Sequence, residues 1–438
     1  MDMPDILQLL LMGAIGAIST MLANAGIAVF NDGLRPVMPE FLEGEMTRAE
    51  LAAISFSVSF GLVVGFGIPV SIGTTVILAH SVLLMSDIIG TWVPGGTKGL
   101  AISGVLGAAW GIGITLGLQM IVDLFALLPV NFLGALGAVG SPIVIAFAVF
   151  PAIAVARQHG FKRGSITFLV TTLVWFVTTR FGTFQVGDNA TITLSAPGMA
   201  LLAGMIFLIF YAVTFKSAEE IDDSQQLVSI FSDRVERIKK NQIYFAIAGG
   251  LIAVAAAMGI MAGDPISLNL VAEGQWTEAA MTAFTRGIGF IPLVFATAIT
   301  TGVFTPAGTT MIYAAGFLLN RWPIAALVAG IVIMFVEVNL LNVSAKALDK
   351  YPGVRDMGEH IRSSMNDVLE IALLVGGAMA AEQIAPGIGF LWVFGAYLLN
   401  KQSPRPIVSL AVGPVAAIAL GILVNILYLV GLFVPAVA

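Results

Sequence analysis

The sequence contains no cysteine and few charged residues, and each absence excludes classes of function. Without cysteine there are no disulfides, no cysteine-ligated iron–sulfur clusters and no thiol catalysis. Charged residues make up only 11% of the 438 residues, whereas soluble domains carry roughly a quarter. With 58% hydrophobic residues, too little polar surface remains to cover a large soluble core. The chain is therefore predicted to be a multi-pass, all-α membrane protein.

Motifs for catalysis, nucleotide hydrolysis and nucleic-acid binding are also missing. The three histidines, His80, His159 and His360, are far apart and have no partner at metal-ligand spacing. No Gly-x-x-x-x-Gly-Lys-Ser/Thr loop occurs, which argues against ATP hydrolysis. Basic residues lie near the ends of apolar segments and form no patch for nucleic acid. We predict that the protein is not an enzyme and has no cofactor or metal, apart from a coupling proton or sodium ion.

Apolar segments long enough to be membrane crossings, or parts of crossings, fill most of the chain. A spanning helix needs about 20 residues, and several segments are shorter. The segments are 6–30, 50–66, 70–90, 99–125, 138–156, 164–181, 195–215, 242–262, 285–301, 306–320, 324–345, 366–383, 387–400 and 407–434. Gly/Pro turns at 65–69, 302–306 and 385–387 join neighbouring segments. Such pairs are either full hairpins or re-entrant hairpins, and the sequence leaves both open.

One long polar stretch, 216–241, separates seven segments from the next seven. The predicted organisation is therefore a first repeat at 1–215, a cytoplasmic linker at 216–241 and a second repeat at 242–438. Within the linker, apolar residues recur at helical spacing: Leu227, Val228, Phe231, Val235 and Ile238. That spacing is typical of an amphipathic helix on a membrane surface. A solvated tether is the equal alternative.

The two halves also resemble each other in sequence. Residues 67–84 match 302–319 at an offset of 235, including Gly-Thr-Thr in both. Upstream, Glu43-Gly44-x-x-Thr47 matches Glu273-Gly274-x-x-Thr277 at an offset of 230. Because seven crossings are an odd number, the second half would have the opposite orientation. We therefore predict about fourteen transmembrane segments in two inverted-topology repeats, with broken or hairpin helices.

The distribution of basic residues tests the orientation independently. If the linker is cytoplasmic, only Arg180, Arg286 and Arg321 of the 20 Lys and Arg residues fall outside. Lys and Arg are retained on the cytoplasmic side during insertion. This bias predicts a multi-pass protein of the bacterial cytoplasmic (inner) membrane. Both termini are then predicted to lie outside.

Several stretches resemble a known family. They are residues 28–36 (AVFNDGLRP), 128–134 (LPVNFLG), 141–151 (SPIVIAFAVFP), 286–293 (RGIGFIPL), 351–356 (YPGVRD) and 365–376. They are similar to the YhfT family of bacterial inner-membrane proteins, and the resemblance runs nearly end to end. It implies a transporter of the cytoplasmic membrane. It implies neither a substrate nor any site residue.

Candidate site residues lie around the Gly-Thr-Thr stretches that follow two of the turns. Hydroxyls and backbone amides at a helix start can donate hydrogen bonds to a ligand. The alternative is that the Thr hydroxyls bond back to their own helix and that Gly allows close packing. The predicted substrate-binding residues are Ser71, Gly73, Thr74, Thr75, Thr305, Gly308, Thr309, Thr310 and Asn339.

Glu337 is the candidate coupling residue, because it is an acid in the middle of the apolar segment 324–345. It would bind a proton or cation with Asn339 as a neighbour; a paired or protonated structural glutamate is the alternative. Asn24, Asn31, Asp32 and Arg35 form a second polar cluster, which we interpret mainly as a turn and helix end. Arg286 either holds an anionic group or extends to the interface.

These patterns favour a secondary transporter of a small polar solute, such as a nucleoside, sugar or small organic acid. Inverted repeats with interrupted helices are typical of carriers that open one midplane site to either side. An elevator mechanism, with the site between the hairpin tips, fits this arrangement. By analogy with elevator carriers, we expect a homodimer in the bilayer. The alternatives are a passive channel or facilitator, a membrane-embedded enzyme, or a subunit of a larger assembly.

Overall fold

The computed structural model describes residues 5–31, 34–72, 74, 76–186, 190–215, 233–304, 311–348, 352–407 and 409–434. Nearly all of these residues form helices, as expected from the sequence. The helices before the polar stretch are α1 (Ile6–Asn24), α2 (Met38–Leu42), α3 (Arg48–Leu62), α4 (Ile68–Ile72), α5 (Ala79–Trp92), α6 (Gly96–Ala126), α7 (Leu133–Leu136), α8 (Gly140–His159), α9 (Phe161–Phe181) and α10 (Ala196–Thr214).

The helices from the polar stretch onward follow the same progression. They are α11 (Asp233–Lys240), α12 (Gln242–Ala257), α13 (Pro265–Ala272), α14 (Trp276–Thr301), α15 (Ile312–Leu318), α16 (Pro323–Leu348), α17 (Pro352–Ile384), α18 (Gly389–Gln402) and α19 (Ser409–Leu429). Short strands are β1 (Ile77–Leu78), β2 (Thr183–Val186), β3 (Ala190–Thr193) and β4 (Met261–Ala262). Strands β2 and β3 form an antiparallel hairpin between α9 and α10, which the sequence analysis did not predict.

Seven helices of the described chain are long and apolar enough to cross a membrane, or up to eight if α11 and α12 count as one bent span. This is fewer than the fourteen predicted segments. The difference arises partly from short helices: α5 and α18 have 14 residues each and α15 has 7. At 1.5 Å per residue, a 14-residue helix reaches only about 21 Å, less than the roughly 30 Å of a bilayer core.

The order of helix packing in the first half recurs in the second. Helix α1 packs on α5 and α6, and α12 packs in the same way on α15 and α16. Further along, α8 contacts α9 and α10, and α17 contacts α18 and α19. Helices α8 and α17 also pack on each other.

Close glycine contacts recur as well. A Cβ at Gly107 of α6 would lie 2.3 Å from the carbonyl oxygen of Gly16 in α1. A Cβ at Gly330 of α16 would lie 2.5 Å from the carbonyl oxygen of Gly249 in α12. Since both distances are too short for a side chain, glycine lets each pair of backbones touch.

The helices form two groups, and each group draws on both halves of the chain. The first group contains α1, α3, α5, α6, α12, α14, α15 and α16. The second group contains α8, α9, α10, α17, α18 and α19. Helix α10 packs on α14, and α19 packs on α3, so the last helix of each half contacts the other half across the boundary between the groups.

The predicted turn at 65–69 is wrong. Helix α3 continues through a π-helical stretch, Val63–Gly67, directly into α4, and the chain breaks only after Ile72. A π-helix absorbs an extra residue without ending the helix. Glycine is needed at Gly67 because a Cβ there would lie 2.8 Å from the backbone nitrogen of Ser81. The turn at 385–387 is confirmed, with Gly387 at φ 84°.

The described part of the linker is a helix packed on the protein. Val235 and Ile238 of α11 are buried, in agreement with the helical spacing. Arg237 donates to the carbonyl oxygens of Gly26 and Gly302, at 2.7 and 3.2 Å. Helix α11 therefore joins the end of α1 to the end of α14. Leu227, Val228 and Phe231 lie outside the described residues.

Candidate functional site

Extended backbone lies at the centre of the first group, where the two halves meet. Strand β1 pairs in parallel with β4, and the Ile77 N–H donates to the carbonyl oxygen of Ile260 at 2.8 Å. A second parallel bridge joins Ala28 to Phe304. Residues of β1 and β4 and both bridge residues are buried. Non-helical backbone inside a membrane protein must be paired within the protein or face water, and here each half pairs with the other.

The first predicted tip is held by serine and threonine hydroxyls. The Ser71 hydroxyl donates to the Gly67 carbonyl at 2.6 Å and accepts from the Leu78 N–H at 2.8 Å. It also lies 3.2 Å from the Ser81 hydroxyl. These contacts connect the end of α4 to β1 and α5. Ser71 is buried and has a local structural role, which was the alternative to ligand binding.

Thr74 is the described threonine of this tip. Its hydroxyl oxygen accepts from the Val76 N–H at 3.4 Å, and its own N–H donates to the Ser71 carbonyl at 3.4 Å. Thr74 is only partly buried. Gly73 and Thr75 lie outside the described residues, so their part in a site stays a prediction.

The second predicted tip consists of Thr305, Gly308, Thr309 and Thr310, all of which lie outside the described residues. The residues on either side are described. Phe304 pairs with Ala28, and Met311 precedes the first turn of α15. The backbone of Met311 hydrogen-bonds the Glu337 carboxylate. Glu337 on α16 therefore lies beside the start of α15, immediately after the predicted tip.

Asn339 is not brought to Glu337. Its side chain is exposed, and its amide donates to the Phe335 carbonyl of its own helix at 2.7 Å. Two residues along a helix correspond to a rotation of about 200°, so Asn339 and Glu337 occupy different faces of α16. Asn339 stays an untested candidate, but the described geometry gives it no shared site with Glu337.

The sequence analysis missed a more completely buried acid than Glu337. Asp87, in α5, has no exposed surface. Its carboxylate accepts from the backbone N–H groups of Phe30 and Asn31, at 2.7 to 3.0 Å. Asp87 thereby holds the extended segment that follows α1. Its position in the apolar stretch 70–90 was the available signal.

The predicted polar cluster near the end of α1 divides into separate structural contacts. The Asn24 amide and the Arg48 guanidinium both donate to the carbonyls of Gly90 and Val93, and so cap α5. Asn31 donates to the Ser59 hydroxyl at 3.1 Å. Arg35 is fully buried, and Asp32 lies outside the described residues. These contacts agree with a turn and helix end.

Arg286 lies in a buried polar cluster beside the strand pair. It donates to the Gly263 carbonyl at 2.8 Å and lies 3.7 Å from the Asp264 carboxylate. Asp264 also accepts from the N–H groups of Ile266 and Ser267 and from the Ser267 hydroxyl. Arg286 thus has a buried counter-ion, and the interfacial position considered from the sequence is wrong.

Two further polar side chains border this cluster. The Tyr313 ring lies against Gly263, where a Cβ would come within 2.7 Å of it. His80 follows β1 in the first turn of α5 and contacts the Phe66 ring edge-on. Both side chains are within electrostatic range of Arg286. Among the described residues, no group of three or more His, Cys, Asp or Glu side chains could hold a metal ion.

The apolar helices and the many large apolar side chains exposed on them define a multi-pass α-helical membrane protein. The YhfT family model, described as a protein of unknown function, matches residues 8–433. The chain is also 36% identical to the uncharacterized protein YhfT of Escherichia coli (strain K12), over 98% of this chain and 99% of that protein. No solved structure matches it. The chain belongs to the YhfT family, as its sequence motifs indicated.

Proposed function

We propose that the protein is a secondary transporter of a small polar solute in the bacterial cytoplasmic membrane, and that it works by elevator-type alternating access. The observation that carries the proposal is the buried pairing of β1 with β4, together with the Ala28–Phe304 bridge. Both contacts join helix breaks from different halves of the chain. Interrupted helices at the interface of two halves are typical of transporter binding sites.

The recurrence of packing supports two repeats of seven segments each. Several equivalent features are separated by 233 residues: the starts of α5 and α15 at Ala79 and Ile312, and the positive-φ glycines Gly26 and Gly259. The sequence offset of 235 was therefore close but two residues too long. Counting short helices as parts of crossings gives seven segments in each half and opposite orientations for the halves.

The two helix groups support the elevator mechanism. The breaks after α1, α4, α12 and α14 all lie in the first group, which also contains Glu337. The second group of helices contacts the first mainly through α10, α19 and α17. We propose that the first group carries the solute past the second group, which forms the fixed scaffold and the homodimer contact.

Counterflow in proteoliposomes tests the transport proposal. Protein reconstituted with a mixture of unlabelled nucleosides, sugars and organic acids inside should accumulate a labelled member of the mixture from outside. Only a carrier shows exchange stimulated from the opposite side, so a channel gives equilibration without overshoot. A turnover of the added solute would instead support an enzyme.

Hydroxyl-deletion variants test the site at the tips. Thr74→Val and Thr309→Val should each weaken solute binding about five- to tenfold, the loss of roughly one hydrogen bond. Thr172→Val is the matched control, because Thr172 is exposed on α9 and bonds the Phe168 carbonyl of its own helix. Glu337→Gln should remove any pH or cation dependence of transport while solute binding remains. Normal transport by both tip variants would refute the site.

Cysteine labelling tests the inverted orientation. The natural chain has no cysteine, so single cysteines can be placed without background. An impermeant maleimide added to intact cells should label cysteine at Asp2 and Ala438 and spare cysteine at Ser224. Labelling at Ser224 from outside would refute a cytoplasmic linker.

A further inference from the structure

His80 and Tyr313 are equivalent residues with the same unusual property. Each is the second residue of a short helix, α5 or α15, and they are 233 residues apart. Within the described part of the chain, His80 Nδ1 and the Tyr313 hydroxyl are buried and have no hydrogen-bond partner. Leaving one buried polar atom unsatisfied costs about 1–3 kcal/mol. Two such atoms at matching positions suggest that a ligand completes them.

Both side chains flank the strand pair at the centre of the first group. Leu78 pairs with Ala262, His80 lies two residues beyond Leu78, and the Tyr313 ring lies on Gly263, next to Ala262. The pairing of β1 with β4 therefore brings the starts of α5 and α15 to one place. These helices begin directly after the two predicted tips.

The charges around this place balance each other. Arg286 is the cation near both side chains, and Asp264, which is 4% exposed, lies 3.7 Å from it. The Asp264 carboxylate is held by two backbone N–H groups and the Ser267 hydroxyl. Because this pair is close to neutral as a unit, it offers no strong attraction to a solute of either sign.

We propose that His80 and Tyr313 bind an uncharged hydrogen-bonding group of the transported solute, such as a hydroxyl, carbonyl or amide. This inference rests on the proposed transport function and narrows its substrate class. A phenol can both donate and accept, and an imidazole nitrogen can do either. A sugar or nucleoside offers such groups, whereas a small organic acid brings a charge without a free counter-ion in the Arg286–Asp264 pair.

Thermal unfolding of the full-length protein in lipid nanodiscs tests the solute class. The probes are glucose and uridine as uncharged solutes, lactate as an anion and choline as a cation. Glucose or uridine should raise the Tm of the natural protein. In Tyr313→Phe and His80→Phe, the concentration needed for this shift should rise about five- to tenfold, the loss of one hydrogen bond.

The variants and their control keep this test independent of folding. Tyr313→Phe removes an unpartnered hydroxyl, so its Tm without solute should equal or exceed that of the natural protein. Tyr244→Phe is the matched control, since Tyr244 is exposed on α12, and its response should be unchanged. The proposal is overturned if only lactate or choline raises the Tm, or if both site variants respond like the natural protein.

Two further readouts separate this inference from the transport proposal. In a His159→Gln/His360→Gln background, diethyl pyrocarbonate should modify His80 in the folded protein, and a stabilising probe should protect it. Modification only after unfolding would overturn the site without touching transport. Likewise, counterflow of labelled lactate, with none for glucose or uridine, would support transport and overturn the uncharged class.

Discussion

The short helices α5 and α15 occupy equivalent places in the two halves but are anchored by different chemistry. Each follows a chain break and packs on the first helix of its own half, α1 or α12. Helix α5 carries its own buried acid, Asp87. Helix α15 has no charged residue in its sequence, and its start is bound by Glu337 from the neighbouring helix α16.

In the first half, the acid completes the fold. Asp87 accepts two backbone N–H groups from the segment after α1, a segment that also bridges to Phe304. In the second half, the equivalent segment after α12 is held by Asp264 as an N-cap and by Arg286. The same backbone problem is solved there without a charge on the short helix.

This difference suggests a division of roles after duplication. The first half uses its buried carboxylate for structure, which leaves Asp87 unsuited to repeated protonation during transport. In the second half, the extended segment is fixed by other groups, so Glu337 contacts only the start of α15. We therefore infer that the second half contributes the coupling residue and the first half the more rigid wall of the site.

The largest expected effect comes from removing the two acids separately. Asp87→Ala should lower the free energy of unfolding by about 3–5 kcal/mol, because two buried N–H groups lose their acceptor. Glu337→Gln should cost less than about 1 kcal/mol, because the amide oxygen still accepts from Met311. The measurement is chemical unfolding of the purified proteins in detergent.

Asp123→Ala is the control for the loss of a carboxylate, since Asp123 is exposed on α6. It should unfold like the natural protein. If Glu337→Gln is as destabilising as Asp87→Ala, the acids have the same structural role and the proposed division between the halves is wrong.

The sequence predicted the membrane class, the family and the location of most helices, because these depend on local composition and motif. Long apolar runs such as 99–125 became helices with nearly the expected bounds. The Glu-Gly-x-x-Thr match was also meaningful: Gly44 and Gly274 both have positive φ and both follow a short helix. Only glycine adopts this backbone without strain.

Pairing across the halves could not be predicted from local sequence. Ile77 and Met261 are 184 residues apart, and neither has a neighbour pattern that distinguishes a two-residue strand from the end of a helix. The roles of His80 and Arg286 were missed for the same reason. A polar residue reveals its function through its partners, and these partners come from other helices.

A smaller effect tests whether the two halves share their packing. Gly107→Ala and Gly330→Ala each place a methyl group against the carbonyl of the facing glycine, at 2.3 and 2.5 Å. Each should cost about 1–3 kcal/mol by forcing the helices apart, and the two losses should be similar. Gly113→Ala on α6 is the matched control, since no atom lies within 4 Å of its added Cβ. A marked loss in one half alone would show that the packing has diverged.

The smallest effect concerns α8 and α17, the equivalent helices through which the halves meet in the second group. His159 ends α8, packs beside the rings of Tyr211 and Phe215 and lies near His360 of α17. Burial, together with the charges of Arg163 and His360, lowers the pKa of His159 below its ordinary value of 6.5. The unfolded chain therefore takes up the proton first, and stability should fall as the pH drops below about 6.5 towards the lower folded pKa. His159→Gln should flatten this part of the curve of Tm against pH and leave the values above pH 7 nearly unchanged. His360→Gln should flatten it only partly, because burial, the largest cause of the shift, remains. An unchanged acid-side slope in His159→Gln would show that proton uptake at this contact between the halves does not depend on His159.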